Sequence, residues 1–139
     1  MRRHVGAAGV IAAALMLGRL VRYEIVERSM VPALEAGDWV IGLRRPRRVR
    51  RGDVVVVAHP GSAIEIVKRV AAVGGDPIPG STVTLAPGKL WLLGDNPAAG
   101  SIDSRTLGAV PVGSVRARIV ARYRPWPPRR IVSGPAALR

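Results

Sequence analysis

One of the two lysines in the chain, Lys68, lies in a run with a largely apolar face. Residues 63–70 read Ala-Ile-Glu-Ile-Val-Lys-Arg-Val. In a strand alternate side chains share a face, which groups Lys68 with Ile64, Ile66 and Val70. Burial in such a setting disfavours the ammonium and lowers the pKa of a lysine, so that its neutral amine can take a proton from a serine. The other interpretation is a strand-end lysine whose amine reaches water.

A serine suited to this chemistry stands upstream. Ser29 precedes Met30-Val31-Pro32, and a serine before a Pro-started turn can present its hydroxyl beside converging backbone N–H groups. The other interpretation is an ordinary helix N-cap, because Pro32 predicts a short helix over residues 31–35.

The composition excludes several alternative chemistries. The chain has no cysteine and two histidines, His4 and His59. Disulfides, thiolate catalysis and cysteine metal sites are therefore excluded, and two distant histidines make a poor zinc site. Hydrolytic chemistry has to come from hydroxyls, carboxylates or lysine, and we expect no metal and no cofactor.

The elements that must position these residues are mostly strands. Short β-branched runs alternate with Gly, Pro and Asp turns from residue 23 onward. We predict a mainly β fold with strands at residues 23–26, 39–43, 53–58, 63–70, 82–85, 89–93 and 115–122.

The chain divides into an N-terminal segment of residues 1–22, a domain of residues 23–124 and a Pro- and Arg-rich tail of residues 125–139. The first segment is basic at residues 1–4 and mostly apolar at residues 5–18. We predict an uncleaved single-pass membrane anchor containing a short apolar helix, although a spanning helix prefers about 20 apolar residues. A helix packed on the domain is the alternative. Arginines on both flanks leave the orientation open.

The net charge of +13 favours an anionic partner, and residues 43–52 carry six arginines. These arginines could bind phosphates or could simply form a solvated connection between strands. No aromatic residue interleaves them to stack bases, so anionic lipid is the better functional interpretation and no nucleic acid is expected.

Four sequence boxes in a fixed order resemble those of type I signal peptidases, peptidase family S26. Residues 29–34, Ser-Met-Val-Pro-Ala-Leu, resemble the nucleophile box, and residues 37–40, Gly-Asp-Trp-Val, resemble the next. Residues 51–56, 67–70 and 74–76 resemble the box of the lysine base, and residues 94–96 with 101–105 resemble the last. The resemblance covers residues 26–124, and four ordered boxes are far more specific than any one.

The resemblance implies a catalytic dyad. Ser29 would attack the scissile carbonyl, with its own N–H helping to hold the oxyanion. Lys68 would act as general base and then protonate the leaving amine, and Ser101 would orient Lys68 by a hydrogen bond.

The resemblance also implies supporting residues, a fold and a substrate. Asp103 would pair with Arg105, and Asp95 with Arg69. Met30 and Pro32 would lie at the substrate-binding surface. The fold would be an antiparallel catalytic core of bent sheets. The substrate, a precursor protein with an N-terminal signal or leader peptide, would bind as an extended strand and be cut after small residues.

Two departures from the family pattern affect these roles. Glu27 stands where some members have a serine that donates to the oxyanion, and an ionised carboxylate cannot donate. Four residues separate Asn96 from Ser101, where the family commonly has three.

Three alternatives compete with a general signal peptidase. A nickel-type superoxide dismutase maturation protease would fit the small size and the Arg-Tyr-Arg-Pro at residues 122–125. It would place the domain in the cytoplasm, whereas a general signal peptidase would place it outside. A self-cleaving repressor-like peptidase would need an N-terminal DNA-binding domain or a cleavable arm, where this sequence has an apolar segment. A non-catalytic basic module for nucleic acid or membrane would explain the charge alone.

Overall fold

A computed structural model describes residues 18–134 of the chain. Eight antiparallel strands form one sheet within these residues. The strands are β1 Leu20–Glu24, β2 Trp39–Arg44, β3 Val54–Ala58, β4 Glu65–Val73, β5 Lys89–Leu93, β6 Val110–Pro111, β7 Val115–Arg124 and β8 Arg129–Arg130. Their order is β1-β2-β7-β3-β4-β5-β6, and β8 pairs with β7. The α-helix of this described part, α1, spans Ser104–Leu107, and short 3-10 turns span Pro97–Ala99 and Val112–Ser114.

Strand β3 lies at the centre of the packing. Its four valines, Val54 to Val57, are all buried, which explains an unbroken apolar run in place of an alternating one. Val54 and Val56 belong to one core cluster, and Val55 and Val57 belong to a second. The sheet therefore packs on both faces of β3.

The sheet has the irregularities of a bent sheet, which the family resemblance implied. Register shifts occur between β2 and β7, between β3 and β7, and between β4 and β5. An extra residue on one strand of a pair locally increases bend and twist. The predicted mainly β, antiparallel, bent-sheet fold is confirmed.

Most predicted strands are present, with two corrections. The first strand is Leu20–Glu24, because residues 20–24 pair with β2 from Leu43 back to Trp39. The prediction of a strand at residues 82–85 was wrong, since only an isolated bridge joins Thr84 to Pro77. Pro79-Gly80 and Pro87-Gly88 confine this segment to turns.

The helix predicted at residues 31–35 is also absent. One helical-type bond joins Leu34 N–H to the Met30 carbonyl at 2.9 Å. The Asp38 carboxylate and N–H then bond to the backbone of Glu35 and close a turn. A single turn fixes several dihedral angles for one bond, so the helix does not propagate.

The predicted segment boundaries do not coincide with the ends of the sheet. Residues 20–22, assigned to the anchor, lie in β1, and Arg129–Arg130 of the predicted tail form β8. Farther along the tail, Ser133 donates to Asp53 at 2.8 Å. The rest of the predicted anchor, residues 1–17, and residues 135–139 lie outside the described part of the chain. No helix within residues 18–134 is long and apolar enough to cross a membrane.

Candidate active site

The Lys68 amine and the Ser29 hydroxyl meet inside the domain. Lys68 Nζ donates to Ser29 Oγ at 2.9 Å across 39 residues of sequence. Relative exposure is 0% for Lys68 and 2% for Ser29. Strand β4 holds Lys68 opposite Val55 of the central strand, and its neighbours on the same face, Ile66 and Val70, are buried in the second core cluster. The pair therefore lies in a largely dry environment.

Burial is the main influence on the protonation of Lys68. Removal from water disfavours the ammonium and lowers the pKa of this lysine below its ordinary value. Two carboxylates, Glu27 and Asp103, act in the opposite direction. The closer contact is from Glu27, whose Oε2 lies 3.8 Å from Nζ while its side chain is 56% exposed. A lysine in this setting is suited to accept a proton from the serine to which it is bonded.

A turn anchored in the core presents Ser29. The next side chain, Met30, is 1% exposed and packs with Leu34 in the first core cluster. Val31 N–H donates to the Arg28 carbonyl at 3.3 Å and closes the turn around the serine. The Ser29 N–H has no hydrogen-bond acceptor among residues 18–134, so it is available to a ligand.

The two residues expected at the substrate-binding surface differ in exposure. Met30 lines the groove beside Ser29, although its side chain is almost fully buried in the core. Pro32 is exposed.

The loop after β5 fixes the backbone of Ser29 from the other side. Asn96 N–H donates to the Ser29 carbonyl at 2.8 Å, and Asn96 Nδ2 donates to the Arg28 carbonyl at 3.0 Å. A Cβ atom on Gly94 would lie 2.8 Å from that same Ser29 carbonyl. These contacts require a glycine at 94 and make Asn96 a positioning residue. Gly94 and Asn96 both belong to the last box of the family resemblance, which implied no role for either.

Asp103 braces this loop from beneath. It is 1% exposed, accepts from the Gly94 N–H at 3.2 Å and receives Arg105 Nη2 at 2.7 Å. Burial alone would raise the pKa of Asp103, but hydrogen bonds from Arg105 and from the Gly94 and Arg105 N–H groups outweigh it and lower this pKa. Asp103 also caps α1, which the sequence analysis did not predict. The short Asp-Ser-Arg-Thr run offered a capping signal.

A second ion pair lies on the opposite face of β4 from the dyad. Arg69 donates to both oxygens of Asp95, at 2.8 and 2.7 Å. It also donates to the carbonyls of Gly52 and Val132. Both pairs expected from the resemblance are thus present, and Arg69 links β4 to the loop after β5 and to the tail.

Ser101 lies close to Ser29 but does not make the hydrogen bond to Lys68 that its expected role requires. It is half-buried in the cleft wall, and its Oγ lies 3.3 Å from the Cβ position of Gly94. Within residues 18–134, Lys68 Nζ donates to Ser29 and to no other side chain. The four-residue spacer folds as a 3-10 turn that ends at Gly100 with φ of 61°. The orienting bond from Ser101 to Lys68 is absent from this structure.

A cleft opens over the dyad. Its volume is about 760 Å³. It is lined by residues 96 and 98–102 on one side and by Glu27, Arg28, Ser29, His59, Ser62, Ile64 and Ile66 on the other. A narrower groove of about 230 Å³ continues between residues 23–30 and the start of β4. Within residues 18–134 no three His, Asp or Glu side chains converge as a metal site. The cleft can admit an extended peptide to the serine.

Comparison with known proteins identifies the family. A family model described as signal peptidase, peptidase S26, matches residues 1–85. A mitochondrial inner membrane protease subunit 1 of Schizosaccharomyces pombe is 39% identical in an alignment of 111 residues that covers 71% of this chain and 70% of that protein. Subunit 1 of Homo sapiens is 33% identical in an alignment of 115 residues that covers 71% of this chain and 65% of that protein. Subunit 2 of Saccharomyces cerevisiae is 32% identical in an alignment of 119 residues that covers 73% of this chain and 66% of that protein. The family match covers more than half of the chain, which therefore belongs to the signal peptidases of peptidase family S26.

Proposed function

We propose that this protein is a serine endopeptidase that removes N-terminal signal or leader peptides, with Ser29 as nucleophile and Lys68 as general base. The observation that carries the proposal is the 2.9 Å hydrogen bond between two almost fully buried side chains at the base of a cleft. Within residues 18–134 the one hydrogen bond of the Lys68 amine is to Ser29, an arrangement that has little structural purpose because burial of an amine is costly.

The chemistry follows from the protonation state of Lys68. Its neutral amine takes the proton of Ser29 as Oγ attacks the scissile carbonyl and forms the tetrahedral intermediate. The free Ser29 N–H donates to the oxyanion. The Lys68 ammonium then gives its proton to the leaving amine as the C–N bond breaks. Water, deprotonated by Lys68, hydrolyses the acyl-enzyme and restores the serine.

The shape of the cleft supports a substrate with small side chains near the scissile bond. Ile64, Ile66 and Ile102 line it, and the groove beside Met30 is narrow and largely apolar. An extended peptide in this cleft would place alternate side chains toward these residues. Cleavage after an Ala-x-Ala sequence is the specificity that the family resemblance implies, and these apolar linings are compatible with it.

The relatives support membrane-associated processing. Their names describe proteases of the mitochondrial inner membrane, and residues 5–18 of this chain are largely apolar. We propose that the apolar run of residues 5–18 attaches the domain to a membrane and that the substrates are precursors delivered there. The same names favour this function over dismutase maturation.

The test is cleavage of an Ala-x-Ala leader peptide by the purified full chain in detergent. Ser29→Ala and Lys68→Ala should each lose at least about 10³-fold in kcat/KM. The other lysine provides a matched control, since Lys89→Ala should retain activity, as should Ser114→Ala. Cleavage that persists in Ser29→Ala, or is lost equally in Lys89→Ala, would contradict the dyad.

A further inference from the structure

Arginines gather where the chain enters the sheet at the start of β1. The Arg44 N–H donates to the Arg19 carbonyl at 2.7 Å, and the Arg19 guanidinium donates to the carbonyls of Arg44 and Arg45 at 3.2 and 2.5 Å. The Arg45 N–H donates to the Arg116 carbonyl at 3.2 Å. Together with two further arginines of the same connection, they form an arginine surface of six residues: Arg19, Arg44, Arg45, Arg47, Arg48 and Arg116.

The charge of this surface is not compensated within the described domain. Five of the six side chains are exposed, and Arg19 is half-buried. None of the six is in an ion pair with any residue from 18 to 134. All nine Asp and Glu residues fall between positions 24 and 103, and four of them pair with Lys68, Arg69, Arg105 and Arg122. Like charges held this close repel one another, so an anionic partner would stabilise the arrangement.

We infer that the arginine surface binds the phosphate headgroups of an anionic lipid bilayer. Arg19 directly follows the uncharged, mostly apolar run 5–18. A bilayer that takes up this run would place its headgroups beside Arg19 and the arginines bonded to it. Arginine is well suited to this partner, since its planar guanidinium binds phosphate oxygens in pairs.

Lipid is favoured over nucleic acid by the composition of the surface. The connection between β2 and β3 has Pro46 and Val49 between its arginines and contains no aromatic side chain to stack on bases. The inference rests on the proposed membrane association, but it is independent of the peptidase chemistry. A catalytically inactive Ser29→Ala chain should therefore bind lipid normally.

The test measures binding of the full chain to vesicles of phosphatidylcholine alone and of phosphatidylcholine mixed with phosphatidylglycerol. Because the apolar run contributes to binding of both kinds of vesicle, the informative quantity is the affinity for the mixed, anionic vesicles divided by the affinity for phosphatidylcholine alone. Arg47→Gln/Arg48→Gln should lower this ratio on the order of 30-fold, if each arginine near an anionic surface contributes about a fivefold step. Raising the salt well above about 0.1 M should lower the ratio of the unaltered chain in the same way.

A matched control removes two positive charges elsewhere. Lys89→Gln/Arg124→Gln changes the net charge equally, at β5 and at the far end of β7, and should leave the ratio nearly unchanged. Equal losses in the two double variants would overturn the inference, because net charge alone would then explain the binding. An unchanged ratio in Arg47→Gln/Arg48→Gln would do the same. The inference would also be overturned if the chain bound duplex DNA more tightly than anionic vesicles and lost that binding in Arg47→Gln/Arg48→Gln.

Discussion

The carbonyl oxygen of Ser29 lies 2.8 Å from the position that a Cβ on Gly94 would occupy. The loop after β5 therefore presses directly on the backbone of the proposed nucleophile, and Asn96 adds a 2.8 Å hydrogen bond to the same carbonyl. The direction of the Ser29 hydroxyl thus depends on a residue 65 positions away in the chain.

Gly94→Ala should impair catalysis by displacing Ser29. The added methyl group meets a backbone oxygen at a distance that real side chains essentially never show, so the serine or the loop has to shift. A displacement of about 1 Å at a reacting group can lower the rate about 10²-fold. The measurement is kcat/KM on the leader peptide together with the melting temperature.

Gly113→Ala is the control for this prediction. A Cβ at Gly113 meets nothing within 4 Å, and its backbone does not require a glycine. It should retain full activity. Comparable rates in the two variants would show that the Gly94 contact does not position the nucleophile.

Glu27→Gln should extend activity toward lower pH. The reaction needs neutral Lys68, so kcat/KM rises with pH through the pKa of this lysine. The Glu27 carboxylate, 3.8 Å from Nζ, raises that pKa, and so does Asp103, whereas burial lowers it. Removing the Glu27 charge should therefore shift the acid limb of the pH profile downward.

The matched variant for this pH profile is Glu24→Gln. Glu24 is exposed and is in no ion pair with residues 18–134, so its loss should leave the acid limb in place. An acid limb that stays fixed in Glu27→Gln, or moves to higher pH, would refute an electrostatic effect of Glu27 on the pKa of Lys68.

Lys68→Met should abolish activity yet stabilise the fold at neutral pH. Methionine fills a similar volume without a buried amine, and replacing a buried charge by an apolar group can stabilise by about 1 kcal/mol or more. The pKa of Lys68 in the folded chain lies below its ordinary value of 10.5. Between these two values the unfolded chain binds a proton that the folded chain does not, so the stability of the unaltered chain rises with pH there.

Urea unfolding as a function of pH tests this prediction. The free energy of unfolding of the unaltered chain should approach that of Lys68→Met as the pH rises toward 10.5. Lys89→Met, at the half-buried second lysine, should show no comparable convergence. A stability difference that is independent of pH would contradict a depressed pKa for Lys68.

The sequence predicted the burial of Lys68 more readily than the contacts around it. Alternation along residues 63–70 placed Lys68 on the face of Ile66 and Val70, because a strand with a buried face has a strict period of two. The bond from Ser101 could not be assessed in this way. It depends on how four spacer residues fold, and Gly100 adopts a left-handed conformation that turns the loop. The helix predicted after Ser29 failed for a related reason, since the Asp38 side chain closes that segment as a turn.

The two ion pairs near the site should differ sharply in their contribution to stability. Both have a shortest N–O distance of 2.7 Å, but Arg69 and Asp95 are 7% and 10% exposed, whereas Arg105 is 48% exposed. Asp95→Ala leaves the buried Arg69 guanidinium unpaired and should lower the free energy of unfolding by about 3–5 kcal/mol. Arg105→Gln takes the guanidinium from Asp103, which is 1% exposed but keeps its hydrogen bonds from the Gly94 and Arg105 N–H groups, and should cost less, about 1–2 kcal/mol. Denaturant unfolding of both variants at one pH measures the contrast. Equal losses would mean that burial of Arg69 does not determine the strength of its pairing, and a larger loss in Arg105→Gln would make Asp103 the principal support of the loop that holds Ser29.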